Sequence, residues 1–229
     1  RVLTDEEKQA TEIVKLLQEK GFEAYFAGGA VRDELLGLPA HAFRHDIDIA
    51  TSAKPEEIKK LFPKTFDIGK SFGVILIKTE VAEFEVATFR TDIGVSDHRR
   101  PEKVEFTTSE IDAKRRDFTI NGLFFDPVKS EIIDYVDGIR DLKRKIISFI
   151  GEPEKRIDED YLRMLRAVRF ATRLGFKIDD KSKEAIKKYA TKISEISVER
   201  IRDEISQILL TKNRDWAIIE LDTLGILKE

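Results

Sequence analysis

The sequence contains no cysteine, which excludes disulfide bonds and thiolate zinc sites and makes the cytoplasm the default compartment. It also lacks any run of about 18 apolar residues, so it predicts no membrane-spanning helix. A strong basic excess is absent as well, because 41 Lys and Arg against 44 Asp and Glu give a net charge of −3. Proteins that bind nucleic acid usually show a basic domain, so any RNA contact must come from local basic patches.

The length of 229 residues and the apolar content of 41% are sufficient for a real core, in one large domain or two small ones. The pattern is rich in predicted strands up to about residue 150 and helical after it. We therefore expect a mixed α/β domain over residues 1–150 and an all-helical region over 151–229.

The apolar periodicity and the positions of Gly and Pro predict the individual elements. Predicted strands cover residues 23–27, 46–50, 72–78 and 81–89. Predicted helices cover residues 5–20, 31–36, 55–61, 154–174, 180–191, 197–211 and 213–224. Residues 90–103 show no period and are expected to form a mobile loop.

A Gly28-Gly29 turn is followed by Arg32 and then, on the next predicted strand, by Asp46 and Asp48. Side chains alternate across a strand, so the two carboxylates point the same way, and a hard cation such as Mg²⁺ would relieve their repulsion. The glycines allow backbone to approach a phosphate, with which Arg32 could pair. Each of the two features has an ordinary alternative. The glycines could form a surface turn, and the two aspartates could be a solvated acidic pair. Their order along the chain favours a metal-dependent nucleoside triphosphate site.

Two-metal nucleotidyl transfer usually needs a further acidic group. Glu83 and Glu85 lie on one face of the strand predicted over residues 81–89. The spacing alone does not choose between them, and a solvated edge face is the alternative.

Asp160, Arg163, Arg166 and Arg169 follow one another at steps of three along a predicted helix. An ordinary ion pair between Asp160 and Arg163 would explain the nearest two. A functional interpretation is that the Arg donates to a base and the Asp accepts from it. Cytosine and adenine present an amino donor beside an unprotonated ring nitrogen, whereas guanine and uracil present the reverse. Such a pair would accept CTP and ATP without a nucleic-acid template.

In this order the motifs resemble those of the class II tRNA nucleotidyltransferases, the CCA-adding enzymes, and of the related bacterial poly(A) polymerases. The matching segments are Gly28-Gly29-x-Val31-Arg32-Asp33, Asp46-x-Asp48, Arg115-Arg116-Asp117-Phe118-Thr119-Ile120-Asn121, Asp137-Gly138-x-x-Asp141-Leu142, and Glu159-Asp160-x-x-Arg163-Met164-Leu165-Arg166-Ala167-x-Arg169-Phe170. These motifs span about 150 residues, which makes the match specific.

The resemblance implies a role for each candidate residue. Asp46 and Asp48 would be the Mg²⁺ ligands, and Glu85, rather than Glu83, would be the third catalytic acidic residue. The remaining nucleotide-binding residues would be Gly28, Gly29, Arg32 and Arg116 at the triphosphate, Asp117 and Asn121 at the ribose, Asp160 and Arg163 at the base, and Arg166 and Arg169 as further contacts.

The resemblance also implies the architecture and the reaction. The fold would be an α/β nucleotidyltransferase head with a mixed, palm-like sheet over residues 1–150, followed by an all-α neck over 151–229, without the family's body and tail domains. The enzyme would add CMP and AMP from CTP and ATP to the 3′ end of tRNA, in the cytoplasm. The open alternatives are a poly(A) polymerase, a CC-only or A-only enzyme, and a head-and-neck fragment that needs missing domains or a partner chain to grip RNA.

Overall fold

A computed structural model describes residues 3–38, 47–69, 72–94, 98 and 102–228 of the chain. Contacts divide the chain into two compact units. The first consists of Arg1–Gly94, Pro101–Arg116 and Asn121–Val136, and the second of Val95–Arg100, Asp117–Ile120 and Asp137–Glu229. A functional boundary between head and neck at residue 150 stays a prediction.

The first unit is built on a mixed sheet of seven strands, counted within the described residues, in the order β3-β4-β5-β2-β1-β8-β9. Its helices are α1 (Asp5–Glu19), α2 (Gly29–Leu35), α3 (Pro55–Leu61) and α4 (Ser109–Lys114). Its strands are β1 (Ala24–Ala27), β2 (Asp48–Thr51), β3 (Thr65–Gly69), β4 (Val74–Lys78), β5 (Glu83–Thr88), β6 (Arg90–Ile93), β7 (Lys103–Phe106), β8 (Leu123–Asp126) and β9 (Glu131–Asp134). Strands β2 and β5 are parallel, and the other neighbours in the sheet are antiparallel.

Helix α1 begins at a capping box, which satisfies backbone N–H groups that have no partner within the helix. Thr4 Oγ1 accepts from the Glu7 N–H at 3.1 Å, and the Glu7 carboxylate accepts from the Thr4 N–H at 2.7 Å. The apolar stripe of α1 packs on one face of the sheet, in a core that includes Ile13, Val14, Leu17, Ile49, Ile75, Phe84 and Val86. The opposite face carries a second core of Ala27, Ala50, Phe89, Ala113 and Phe124.

The second unit is mainly helical in its described residues. Its elements are α5 (Gly138–Arg144), β10 (Ile146–Ile147), α6 (Pro153–Glu159), α7 (Arg163–Leu174), β11 (Lys177–Ile178), α8 (Asp180–Tyr189), α9 (Val198–Leu209) and α10 (Arg214–Thr223). Helix α7 is central, because its buried side chains Leu165, Val168 and Phe170 belong to the core of this unit and the helix packs against α9 and α10. None of the helices in the described part of the chain has the length and apolar content that crossing a bilayer requires.

The prediction of one continuous helix over residues 154–174 was wrong. Helix α6 ends at Glu159 and α7 begins at Arg163, with Asp160 in an extended conformation at φ −156° and ψ 107°. The Asp160 carboxylate accepts a hydrogen bond from the Leu162 N–H at 3.1 Å, which turns the chain without continuing the helix. The apolar period continues through the break, so periodicity alone did not reveal it.

The prediction of an irregular loop over residues 90–103 was wrong at both ends. Strands β6 and β7 pair antiparallel, with Arg90 opposite Phe106 and Ile93 opposite Lys103. Both strands are rich in charged residues, which hides their alternation in the sequence. The sequence pattern also predicted no strand for β3, β8, β9, β10 or β11, and β10 and β11 are only two residues long.

Candidate active site

The Gly28 turn lies at the end of β1, next to the beginning of β2. Ala27 is opposite Asp48 in the antiparallel register of these two strands. Gly28 has φ 71° and ψ −133°, a conformation that residues with a Cβ rarely adopt, and α2 begins directly after it at Gly29. A Cβ at Gly28 would lie 3.4 Å from Nη1 of Arg116. The turn thus brings bare backbone close to a guanidinium, as binding of an anionic group requires.

Arg116 is held in place by Asp112, a residue that the motif analysis did not select. Its Nε and Nη2 donate to Asp112 Oδ2 at 3.2 and 3.0 Å, and its guanidinium lies 5.1 Å from the centre of the Phe124 ring. Burial raises the pKa of Asp112, but Arg116 and Arg115 lower it more, so the net pKa is below its ordinary value. The spacing of three and four residues from Asp112 on α4 to the two arginines that follow this helix was the available signal.

Arg32 lies in the interior of the first unit, with 1% of its surface exposed. Its Nε donates to Asp33 Oδ1 at 2.7 Å and its Nη1 donates to Asn121 Oδ1 at 2.6 Å. These two bonds fix the guanidinium of Arg32 in the interior. Arg32 thus holds Asn121 in place, and its predicted contact with the triphosphate stays a prediction.

The carboxylates of Asp48 and Glu85 occupy adjacent positions on parallel strands. The register pairs Ile49 with Val86, and Asp48 and Glu85 immediately precede these residues. Because Ile49 and Val86 face the core under α1, the two carboxylates point to the opposite face of the sheet. Glu83 is the first residue of β5, two residues before Glu85, and pairs with Lys78 at 3.0 Å.

Asp46, the other predicted metal ligand, lies outside the described residues, so the structure gives no position for the complete set of three carboxylates. Within the described ranges, no three acidic or histidine side chains converge closely enough to hold a metal ion. Asp48 and Glu85 are exposed oxygen donors on neighbouring strands, which fits two of the three carboxylates that the motifs predict around a hard divalent cation.

In the second unit, Asp117 and Arg166 form a close ion pair. Asp117 Oδ2 accepts from Arg166 Nε at 2.8 Å and lies 2.7 Å from its Nη2, while Oδ1 accepts from the Phe118 N–H at 2.8 Å. Burial raises the pKa of Asp117, but Arg166 lowers it more, so the carboxylate titrates below its ordinary range. Asp117 therefore fixes the guanidinium of Arg166 on the side of α7.

The predicted base-reading residues Asp160 and Arg163 do not pair with each other through their side chains. Arg163 Nη1 donates to Glu159 Oε2 at 2.7 Å and to the Arg156 carbonyl at 2.8 Å. Asp160 Oδ2 accepts from Arg200 Nη2 at 2.8 Å. Arg200 lies 40 residues farther along the chain, and nothing in its local sequence connected it with Asp160.

Arg169 is turned towards α9. Its Nε donates to Glu204 Oε2 at 2.6 Å and its Nη1 donates to Gln207 Oε1 at 3.0 Å, and its side chain is 10% exposed. Burial lowers the pKa of Arg169, and Glu204 opposes this effect. Arg169 thus joins α7 to α9, and its predicted contact with the nucleotide stays a prediction.

Two family models match the chain. Residues 24–148 match the poly A polymerase head domain, and residues 175–229 match a model described as a probable RNA and SrmB-binding site of polymerase A.

Curated relatives and solved structures agree with these matches. A CCA-adding enzyme of Ligilactobacillus salivarius is 49% identical over 223 residues, which are 96% of this chain and 54% of that protein. The crystal structure of the Bacillus stearothermophilus CCA-adding enzyme in complex with CTP superposes with a TM-score of 0.87 at 40% identity, covering 98% of this chain and 53% of that one. The Thermotoga maritima CCA-adding enzyme complexed with tRNA gives a TM-score of 0.80 at 27% identity, covering 100% of this chain and 53% of that one. The chain thus spans about half the length of the relatives it matches.

Proposed function

The chain belongs to the family of the class II tRNA nucleotidyltransferases and bacterial poly(A) polymerases, and on this premise we propose that it adds CMP and AMP to the 3′ end of tRNA. The observation that carries the proposal is that the Gly28 turn, Asp48 and Glu85 lie at neighbouring positions on the consecutive strands β1, β2 and β5. Phosphate-binding backbone and metal-binding carboxylates must lie side by side in nucleotidyl transfer.

At the triphosphate, Arg116 and the backbone after Gly28 bind and orient the phosphates. The 3′ hydroxyl of the RNA attacks the α-phosphorus, a new O–P bond forms, and the bond to the departing pyrophosphate breaks. Asp46, Asp48 and Glu85 would hold Mg²⁺, which supplies positive charge to the triphosphate and favours loss of the hydroxyl proton. The protein thus contributes mainly position and charge neutralisation.

At the base, Asp160 accepts from the amino group of cytosine or adenine, and Arg163 donates to the adjacent ring nitrogen. With UTP or GTP, the Asp160 carboxylate would face an acceptor on the base, and the Arg163 guanidinium would face a donor. Each unpaired polar group costs about 1–3 kcal/mol, so the pair gives a discrimination of roughly 30-fold to 10⁴-fold.

The matched head-domain model is named for poly A polymerase, which supports addition of AMP alone as a second candidate. Supply of CTP as the sole nucleotide separates the two, because a poly(A) polymerase strongly prefers ATP. In either case the reaction takes place in the cytoplasm, where tRNA, CTP and ATP are found.

The test of the proposal measures the incorporation of CMP into a tRNA acceptor mini-helix. The mini-helix is supplied at high concentration. We expect Asp48→Asn and Glu85→Gln to lower the turnover rate at least about 100-fold while CTP still binds, because the catalytic charge is lost and the base contacts remain. Glu83→Gln is the matched control on the same strand and should retain normal turnover. Normal turnover in Asp48→Asn would contradict the proposed site.

A further inference from the structure

Asp160 is held by hydrogen bonds to both of its carboxylate oxygens. Oδ1 accepts from the Leu162 N–H at 3.1 Å, and Oδ2 accepts from Arg200 Nη2 at 2.8 Å. A carboxylate offers about four acceptor positions, so two remain for a ligand. Building on the proposed function, we propose that Arg200 is a positioning residue that orients Asp160 towards the amino group of cytosine or adenine. Arg200 thereby contributes to the selection of CTP and ATP.

Asp160 needs such support because of its place in the chain. It lies in the break between α6 and α7 with an extended backbone, so no helix fixes its side chain. The bond from Leu162 restrains one oxygen only. The second bond, from Arg200, fixes the plane of the carboxylate and leaves its free acceptor positions in a defined direction. Asp160 and Arg200 are 19% and 21% exposed, so a ligand can still reach the pair.

Arg200 is itself anchored. It lies in the first turn of α9, one turn before Glu204, which accepts from Arg169 Nε on α7 at 2.6 Å. Gln207 on the same helix accepts from Arg169 Nη1 at 3.0 Å. Helix α9 is thereby fixed to α7, the helix that begins at Arg163. Arg163, which donates to the base, and Arg200, which supports Asp160, therefore lie on two helices that are joined to each other.

The direction of the acceptor affects the four nucleotides differently. A hydrogen bond weakens steeply when its angle departs from linearity, so a rotated Asp160 loses its bond to the amine of CTP or ATP. UTP and GTP present an acceptor to the Asp160 carboxylate. They form no hydrogen bond with this carboxylate in any orientation, so its orientation does not affect their affinity. Loss of Arg200 should therefore lower the affinity for CTP and ATP selectively.

The test measures the affinities of the chain for CTP, ATP, UTP and GTP by equilibrium dialysis with Mg²⁺, in Arg200→Met and in Arg200→Lys. We expect Arg200→Met to bind CTP and ATP about 10-fold more weakly, which corresponds to about 1.4 kcal/mol, with UTP and GTP unchanged. Arg200→Lys should be intermediate, because it keeps the charge and loses the planar fork. Arg202→Met is the matched control on α9, because Arg202 is 70% exposed and pairs only with its neighbour Asp203 among the ion pairs found in the described residues.

Three results would overturn the inference. An unchanged ratio of CTP to UTP affinity in both Arg200 variants would show that Arg200 does not orient Asp160. An equal fall for all four nucleotides, together with a lower Tm, would show a purely structural role. A wild-type chain without preference for CTP and ATP would contradict the proposed base selection itself, and the inference would fall with it.

Discussion

Replacement of Asp112 with Asn removes the carboxylate that holds Arg116 beside the Gly28 turn. The Asp112 side chain is 3% exposed and accepts from the Arg90 N–H at 3.0 Å, from Arg115 Nη2 at 2.9 Å and from Arg116 Nη2 at 3.0 Å. Asparagine offers one acceptor oxygen and no charge. At least one of the two guanidinium groups would therefore lose its partner.

The size of the effect follows from the burial of this cluster. Removal of one partner from a buried ion pair typically costs about 3–5 kcal/mol. Arg115 and Arg116 are 22% and 21% exposed, so water compensates in part, and Arg115 keeps Asp92 at 3.7 Å. We expect the free energy of unfolding of Asp112→Asn to fall by about 2–3 kcal/mol, which lowers Tm by roughly 4–12 °C.

Thermal denaturation at pH 7 and the affinity for ATP are the two measurements. Arg116 without its support should bind the triphosphate more weakly, so the affinity for ATP should fall together with Tm. Glu110→Gln is the matched control, because Glu110 forms an exposed pair with Lys114 on the same helix and should contribute less than about 0.5 kcal/mol. An Asp112→Asn chain that matches Glu110→Gln in both measurements would refute the role of Asp112 as the support of Arg116.

Asp112→Asn should also change how the stability of the fold depends on pH. The pKa of Asp112 is lower in the folded chain than its ordinary value of 3.8. A lowered pKa stabilises the fold above the unfolded-state value, and this stabilisation is lost as the pH falls through the folded-state value. Chemical denaturation between pH 5 and pH 3 should therefore show a smaller loss of stability on acidification in Asp112→Asn than in the wild-type chain.

Three further substitutions probe the remaining supports of the site. Gly28→Ala places a Cβ at φ 71° and should cost about 1–3 kcal/mol of stability, seen as a lower Tm together with weaker ATP binding. Asp117→Asn removes the ion pair to Arg166, so Tm should fall at pH 7 and, since the pKa of Asp117 is lowered, the difference from wild type should shrink as the pH falls below its ordinary value of 3.8. Glu204→Gln removes the carboxylate that neutralises Arg169, and should lower the free energy of unfolding by about 3 kcal/mol in denaturant titration. A loss below about 0.5 kcal/mol in Glu204→Gln would show that this pair contributes nothing to the fold.

Local signals in the sequence were sufficient for much of the fold. Helix α1 was predicted because its apolar stripe repeats with a helical period and Gly21 follows its end. Helix α3 was predicted at Pro55–Leu61 because Pro55 marks its first residue. The order of the motifs was also sufficient to identify the family, as the matches to the head-domain model and to the CCA-adding enzymes confirm.

The details of the site depended on partners that are distant in sequence. The bond from Arg32 to Asn121 joins residues 89 positions apart, and no local pattern predicted it. Arg200 and Asp160 are separated by 40 positions and share no motif. Sequence patterns indicate which residue types are present, whereas the choice of a partner for each charge depends on how the helices and strands pack.

The most direct test of the account is stepwise extension of three tRNA acceptor mini-helices, ending before CCA, after the first C and after CC. Each is incubated with Mg²⁺ and with CTP, ATP, GTP or UTP singly. We expect CMP on the first two, AMP on the third, and no GMP or UMP on any of them, because Asp160 and Arg163 match only an amino donor beside a ring acceptor. Incorporation of UMP or GMP at rates similar to CMP, or failure to incorporate any nucleotide at saturating mini-helix, would contradict the account.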